Sequence, residues 1–158
     1  MNWKEFIHEV PNFPKPGISF KDISPLLKSV KFSEAISEMR KLVPNPQYWV
    51  GIDSRGFIFA SALANTFGGL VMCRKKGKLP PPTINQEYSL EYGTDTLEIQ
   101  PGNGTVVIVD DVYATGGTMN AVEQLCQKAG YTVIGKLVLV DLQFLHEPNN
   151  IKSLIQYE

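Results

Sequence analysis

Apolar and polar residues alternate in blocks along this chain, and the block lengths carry most of the fold information. Tyr48 to Ile52 is a short apolar run that reads as a buried strand, and the stretch from Phe57 to Phe67 behind it reads as a helix. Leu70 to Cys73 predicts a second strand and Thr105 to Val109 a third. Thr118 to Lys128 then predicts a helix closed by Gly130. A long strand lies within Tyr131 to Leu142, and Ser153 to Tyr157 adds a last one. Upstream, Trp3 to Val10 predicts a short helix, and the prolines and glycine of Pro11 to Gly17 forbid regular structure after it. Ser33 to Val43 predicts a helix with Ser33 as its N-cap, Ile36, Met39, Leu42 and Val43 near one face, and Pro44 as its stop.

Strands separated by helices of this length indicate right-handed βαβ units, hence an α/β fold with a mainly parallel twisted sheet flanked by helices. No repeat or break in composition interrupts the pattern, so one domain is expected over residues 1–158. In such sheets ligands bind beyond the carboxyl ends of the strands, which directs attention to the turns after Ile52, Cys73 and Val109. One insertion departs from the alternation. Lys78 to Gln100 opens with Pro80-Pro81-Pro82 and continues into two alternating stretches, Glu87 to Leu90 and Thr96 to Ile99, with Gly93-Thr94-Asp95 expected in the turn between them. It is either a flexible hairpin lid over 78–100 or an ordinary edge hairpin.

Composition narrows the function. A net charge of −1 gives no global basic field for nucleic acid or an anionic membrane. No apolar run reaches the roughly 18 residues of a membrane span, and the opening Met1-Asn2-Trp3-Lys4-Glu5 has no signal-peptide core. Neither a nucleic-acid partner nor a membrane is expected. Cys73 and Cys126 form no C-x-x-C pair and read as small core residues of a cytoplasmic protein, without a disulfide or a thiolate metal site. His8 and His146 are isolated and receive no catalytic role.

The candidate chemistry concentrates in Val106-Val107-Ile108-Val109-Asp110-Asp111-Val112-Tyr113-Ala114-Thr115-Gly116-Gly117-Thr118. Four branched residues make a doubly buried strand, and two acids follow at its carboxyl end, where paired acceptors suit a vicinal diol. Gly116 and Gly117 let backbone amides approach a phosphate, and Thr115 and Thr118 add hydroxyls at a helix N-terminus. Acids for a ribose beside amides for its phosphate describe a 5-phosphoribosyl site. A strand ending in acids also fits the magnesium-binding partner of a P-loop, but no Gly-x4-Gly-Lys-Ser/Thr occurs. A dinucleotide fingerprint fails because Gly102 and Gly104 precede their strand. Acidic turns that only cap helices contain Asp-Asp too.

The same run resembles the signature of the purine phosphoribosyltransferases of the type I fold. Five further blocks occur in that family's order: Phe13 to Gly17, Asp22 to Leu27, Gly51 to Phe59, Arg74 to Pro80 and Tyr88 to Gly93, before the closing Leu154 to Glu158. The resemblance implies transfer of a 5-phosphoribosyl group from phosphoribosyl pyrophosphate to N9 of adenine, giving AMP and pyrophosphate. It implies Mg2+ carried by the pyrophosphate and ribose of the donor and not by dedicated protein ligands, and a homodimer in the cytoplasm.

The resemblance also assigns roles. Asp110 and Asp111 would hold the 2- and 3-hydroxyls of the ribose, and Ala114, Thr115, Gly116, Gly117 and Thr118 its 5-phosphate. Asp53, Ser54 and Arg55 match the pyrophosphate loop, although Asp53 or Ser54 also suits a plain helix N-cap. Arg74 and Lys78 are the cations chosen for pyrophosphate, and one cation of this segment is expected to act in a neighbouring subunit. Glu91 matches the acid near N7 of the base and Tyr92 the lid tyrosine. In the hood segment, residues 1–30, Phe20 matches the aromatic on the purine, with Ser19 and Lys21 where the family often has an aliphatic residue and an arginine. Val112 matches the apolar residue on the other side of the base. Two other functions fit the same motifs: a nucleotide sensor without turnover, and transfer to another purine.

Overall fold

The structure, a computed structural model, describes residues 1–90 and 93–158. Its centre is a seven-stranded sheet with β3 (Tyr48–Ile52), β4 (Gly69–Lys75), β7 (Gly104–Tyr113), β8 (Tyr131–Leu142) and β9 (Lys152–Tyr157) parallel, and β5 (Ile84–Leu90) and β6 (Gly93–Ile99) antiparallel at one edge, in the order β5-β6-β4-β3-β7-β8-β9. A separate antiparallel ribbon pairs β1 (His8–Pro11) with β2 (Ser19–Asp22). The helices are α1 (Ser24–Leu27), α2 (Phe32–Arg40), α3 (Gly56–Thr66) and α4 (Gly117–Ala129). None of them is long and apolar enough to cross a membrane.

The strand pleat explains the layers. In β7, Val107 and Val109 face the cluster formed with Ala35, Ile36 and Met39 of α2 and Phe59, Ala60 and Leu63 of α3. Val106 and Ile108 face the opposite cluster with Val122, Leu125 and Cys126 of α4. Because β7 is covered on both sides, its run from Val106 to Val109 carries no polar residue. Truncating Leu63 or Leu125 to alanine is worth about 2–5 kcal/mol at such sites. Both cysteines are fully buried, and burial pushes their thiols up, Cys126 to about 12, so neither is a nucleophile at neutral pH.

Several boundaries differ from the sequence pattern. Only Trp3–Phe6 forms a turn of 3-10 helix, and the expected continuation to Val10 is instead β1, because Glu9 and Val10 pair with Lys21 and Phe20. The second helix starts at Phe32 and ends at Arg40, with Ser33 inside its first turn and no side-chain cap. Gly93, Thr94 and Asp95 belong to β6, paired with Leu90, Ser89 and Tyr88, and are not in the turn. The expected third strand does not stop at Val109; its pairing with β8 continues through Asp110 to Tyr113. Strand pairing overrides the low strand propensity of the two acids.

Candidate active site

The carboxyl ends of β3, β4 and β7 come together at one edge of the sheet, and each delivers one of the sequence-predicted segments. After β7 the chain bends through Ala114 and Thr115 to Gly116, which sits at φ +93° and begins α4 without a side-chain cap. The left-handed conformation is open to glycine at no steric cost. A Cβ at Gly116 would collide with the Tyr113 hydroxyl, so the turn is closed from beneath and open toward solvent. The concavity above it, about 120 Å³, is lined by Asp110, Val112 and the run from Ala114 to Thr118. Uncapped amides at the start of a thirteen-residue helix give it a positive potential suited to a phosphate.

The two acids are not equivalent. Asp110 Oδ1 already accepts the Asp111 backbone N–H at 2.8 Å, and burial, reinforced by the charge of Asp111, pushes its carboxyl well above the ordinary range. Asp111 is 4% exposed and its Oδ2 accepts no hydrogen bond, although Arg55 Nε stands 2.8 Å away as an ion contact without N–H alignment. The close approach of α3 sets this geometry. A Cβ at Gly56 would fall 2.8 Å from the Val109 carbonyl oxygen and 3.1 Å from Asp110 Oδ1, so only glycine lets the helix start against the end of β7.

The turn after β3 holds Asp53, Ser54 and Arg55, with a cis peptide between the first two. Neither Asp53 nor Ser54 caps α3 by its side chain. Asp53 points to β4 instead, where its Oδ2 lies 3.4 Å from Arg74 Nε and accepts the Lys75 N–H at 3.5 Å. Arg74 Nε is buried without a hydrogen bond. Among the described residues, Arg74 Nε and Asp111 Oδ2 are the buried side-chain polar atoms left without a hydrogen-bond partner, and both belong to this edge. Such orphans are expensive in a folded core and mark positions that a polar ligand would satisfy.

Sequence reasoning passed over two acids of the cationic side. Glu98, 3% exposed, accepts the N–H groups of Gly77 at 2.9 Å and Leu79 at 2.8 Å, one on each carboxylate oxygen. It thereby fixes the backbone on either side of Lys78, whose own side chain is exposed. An acid between Leu97 and Ile99, both buried, was the available signal. Asp95 holds Lys75 at 2.9 Å and receives the Tyr88 hydroxyl at 3.4 Å, which ties the root of the β5–β6 hairpin to β4. The ion pair raises the Lys75 amine and lowers the Asp95 carboxyl from their usual ranges.

A second depression lies between the β1–β2 ribbon and the sheet. About 390 Å³ in volume, it is lined by Val10, Phe13, Phe20, Asp22, Leu27 and Arg55 among others. Phe20 meets Phe13 edge-on at 5.1 Å, and the Arg55 guanidinium lies 5.4 Å from the Phe20 ring centre. Arg55 therefore links this apolar cleft to Asp111. Ser19 and Lys21 do not line it: Lys21 is 9% exposed, bonds Glu9 at 2.9 Å and lies over the Tyr157 ring at 4.4 Å. Val112 lines the concavity over the Gly116 turn and packs on the core beside α3, not in the Phe20 cleft. Glu91 and Tyr92 lie outside the described residues.

A parallel sheet whose carboxyl edge carries paired acids, an amide-lined turn and a cluster of cations has the arrangement of a phosphoribosyl-transfer site. The phosphoribosyl transferase domain family matches residues 31–149. The adenine phosphoribosyltransferase of Bdellovibrio bacteriovorus is 48% identical over 165 residues, covering 99% of this chain and 100% of that protein. That of Kosmotoga olearia is 49% identical over 167 residues, covering 100% and 96%. The crystal structure of adenine phosphoribosyltransferase from Thermoanaerobacter pseudethanolicus has a TM-score of 0.88 at 42% identity, over 98% of this chain and 97% of that one. The Saccharomyces cerevisiae structure, complexed with an imino-altritol bisphosphate and adenine, has a TM-score of 0.80 at 36% identity, over 90% and 88%. The chain belongs to the phosphoribosyltransferase family and, within it, to the adenine phosphoribosyltransferases.

Proposed function

We propose that this protein transfers the 5-phosphoribosyl group of phosphoribosyl pyrophosphate to N9 of adenine, forming AMP and pyrophosphate. The observation that carries the reading is the pair of orphaned buried atoms, Asp111 Oδ2 and Arg74 Nε, flanking one edge beside an amide-lined turn. One is an unmet acceptor suited to a ribose hydroxyl and the other an unmet donor suited to a pyrophosphate oxygen.

In the reaction the bond from C1 to pyrophosphate breaks and a bond from N9 to C1 forms, with loss of the N9 proton. Positive charge builds on the sugar and negative charge on the leaving group, so positioning and electrostatics supply most of the catalysis. Ala114 to Thr118 hold the 5-phosphate. Asp110 and Asp111 hold the ribose hydroxyls and face the developing cation. Asp53, Ser54, Arg55, Arg74 and Lys78 surround the pyrophosphate. Adenine lies on Phe20 in the cleft lined by Val10, Phe13 and Leu27, which Ser19, Lys21 and Val112 do not line. Glu91 is assigned, by family likeness, to the proton exchange that accompanies attack by N9, and Tyr92 to the closing lid. The donor's Mg2+ would meet Asp110 and Asp111 only through the ribose hydroxyls that those acids hold. Mg2+ held by the donor would neutralise its pyrophosphate.

We further propose a homodimer in the cytoplasm. Ile58 on α3 and Leu70 and Met72 on β4 remain 37%, 40% and 41% exposed on the same side of the sheet, an apolar surface suited to a second copy. The buried thiols suit a reducing compartment.

The test is incubation of the protein with phosphoribosyl pyrophosphate, Mg2+ and each free purine. AMP from adenine, with no nucleotide from guanine, hypoxanthine or xanthine, is the expected result. Saturable donor binding without any product overturns it in favour of a sensor. Glu91→Ala should lower kcat by about 100-fold, the scale of a general acid–base contribution, with donor KM nearly unchanged. An equal loss in donor affinity would move Glu91 to the sugar site.

A further inference from the structure

Behind the phosphate loop lies a polar network that the proposed function does not use. Tyr113 ends β7 with its ring buried and its hydroxyl directly under Gly116. Asn149 Nδ2 donates to that hydroxyl at 3.2 Å. The amide is oriented, because Asn149 Oδ1 accepts the Ile151 N–H at 3.0 Å. The Tyr113 ring meets the His146 ring at 4.8 Å and 87°. His146 Nε2 lies 2.6 Å from Asp141 Oδ1, and His146 Nδ1 lies 2.7 Å from the Glu147 carbonyl oxygen.

Nε2 faces the Asp141 carboxylate and Nδ1 faces the Glu147 carbonyl oxygen, with the Asn149 amide nitrogen farther off at 3.2 Å. The imidazolium, with a proton on both nitrogens, therefore makes the two shorter contacts together. Asp141 is 3% exposed and has the strongest reason to hold that charge, since a buried carboxylate without a counter-ion is costly. The titratable groups facing the ring are Asp141 from β8, Tyr113 from β7 and Glu147 in its own segment. Its remaining neighbours, Gln143, Pro148, Asn149 and Ile151, are neutral.

We infer that His146, charged and paired with Asp141, is a positioning residue for the phosphate loop, bracing Tyr113 and Asn149 and through them the hydroxyl on which the Gly116 turn rests. The inference rests on the proposed function, because it takes Ala114 to Thr118 to bind the 5-phosphate. The hydrogen bonds to Glu147 and Asp141 raise the imidazole above its ordinary value. The brace is therefore fully present below the ordinary imidazole value and is lost as pH rises through the raised one.

Reciprocity supplies the test: if the charged ring favours phosphate binding, a bound phosphate must favour the charged ring. The chain has two histidines, and His8, on β1 opposite Asp22 of the Phe20 cleft, reports on the purine side instead. NMR titration of the imidazoles, with and without saturating AMP, should raise the midpoint of His146 by about 0.7. That is about a fivefold coupling, the worth of one ordinary hydrogen bond. Tyr113→Phe removes the hydroxyl but leaves the charges, and should abolish most of the rise. In turnover, His146→Gln should raise donor KM about fivefold, leave kcat and adenine KM within about twofold, and flatten the alkaline rise of donor KM expected of the wild type. AMP bound with the His146 midpoint unmoved, or a rise retained in full by Tyr113→Phe, overturns the inference alone. AMP that perturbs no wild-type resonance overturns the parent reading and this inference with it. Because the wild-type titration decides by itself, a variant that fails to fold does not rescue the idea.

Discussion

The two sides of the proposed site are built by different means. The proposed phosphate loop is backbone: β7 stops at Tyr113, Gly116 turns at positive φ, and α4 begins with uncapped amides, so the cradle exists before any ligand arrives. The cationic side is made of side chains already committed to carboxylates. Arg55 stands at Asp111, Arg74 at Asp53 and Lys75 at Asp95. A donor entering the first side displaces only water, whereas on the second it must take partners from acids 2.8–3.4 Å away. Pre-built amides cost no reorganisation at the moment of reaction, and paired cations keep a cluster of charge stable until the pyrophosphate arrives.

Variants can break that contrast. The largest effect is expected from Gly116→Val, which combines a collision with Tyr113 and a strained φ. It should reduce kcat/KM by about 100-fold, near 3 kcal/mol, and an AMP titration should show the same loss. Asp111→Ala follows: it removes the orphaned acceptor and releases Arg55, and donor KM should rise about tenfold, the scale of one hydrogen bond to a charged group. Unchanged donor titration would contradict the ribose assignment. Glu98→Gln sharpens the comparison, since an amide oxygen can serve only one of the two N–H groups of Gly77 and Leu79. Loosening the backbone around Lys78 should raise donor KM about fivefold while AMP, which has no pyrophosphate, binds as before. Smallest is Lys75→Ala, an exposed ion pair at the hairpin root, expected to alter kcat/KM by less than about twofold.

Much of this arrangement was legible in the chain. The run Val106 to Val109 specified a doubly covered strand because a central strand has no solvent face to show, and Gly116 specified a turn at positive φ where a side chain would meet Tyr113. The boundaries of Tyr48–Ile52 follow for the same reason. What stayed hidden depended on partners distant in sequence. Val10 belongs to a strand only because Phe20 pairs with it, and Asp110 to Tyr113 remain extended because β8 accompanies them. Lys21 looked like a neighbour of the base, yet the pleat of β2 turns it away from Phe20, to Glu9 and the Tyr157 ring. The anchoring role of Glu98 is equally silent in a linear reading, since the amides that it holds lie 19 and 21 residues earlier.

The central claim is that the Ala114–Thr118 turn and the acids beside it form one receptacle for a phosphorylated ribose. A crystal structure of the AMP complex tests it most directly. The account predicts the 5-phosphate within hydrogen-bond distance of the amides from Thr115 to Thr118, a ribose hydroxyl on Asp111 Oδ2 and the purine against Phe20. A nucleotide whose phosphate sits instead among Arg74 to Lys78, with the turn after β7 unfilled, would contradict it.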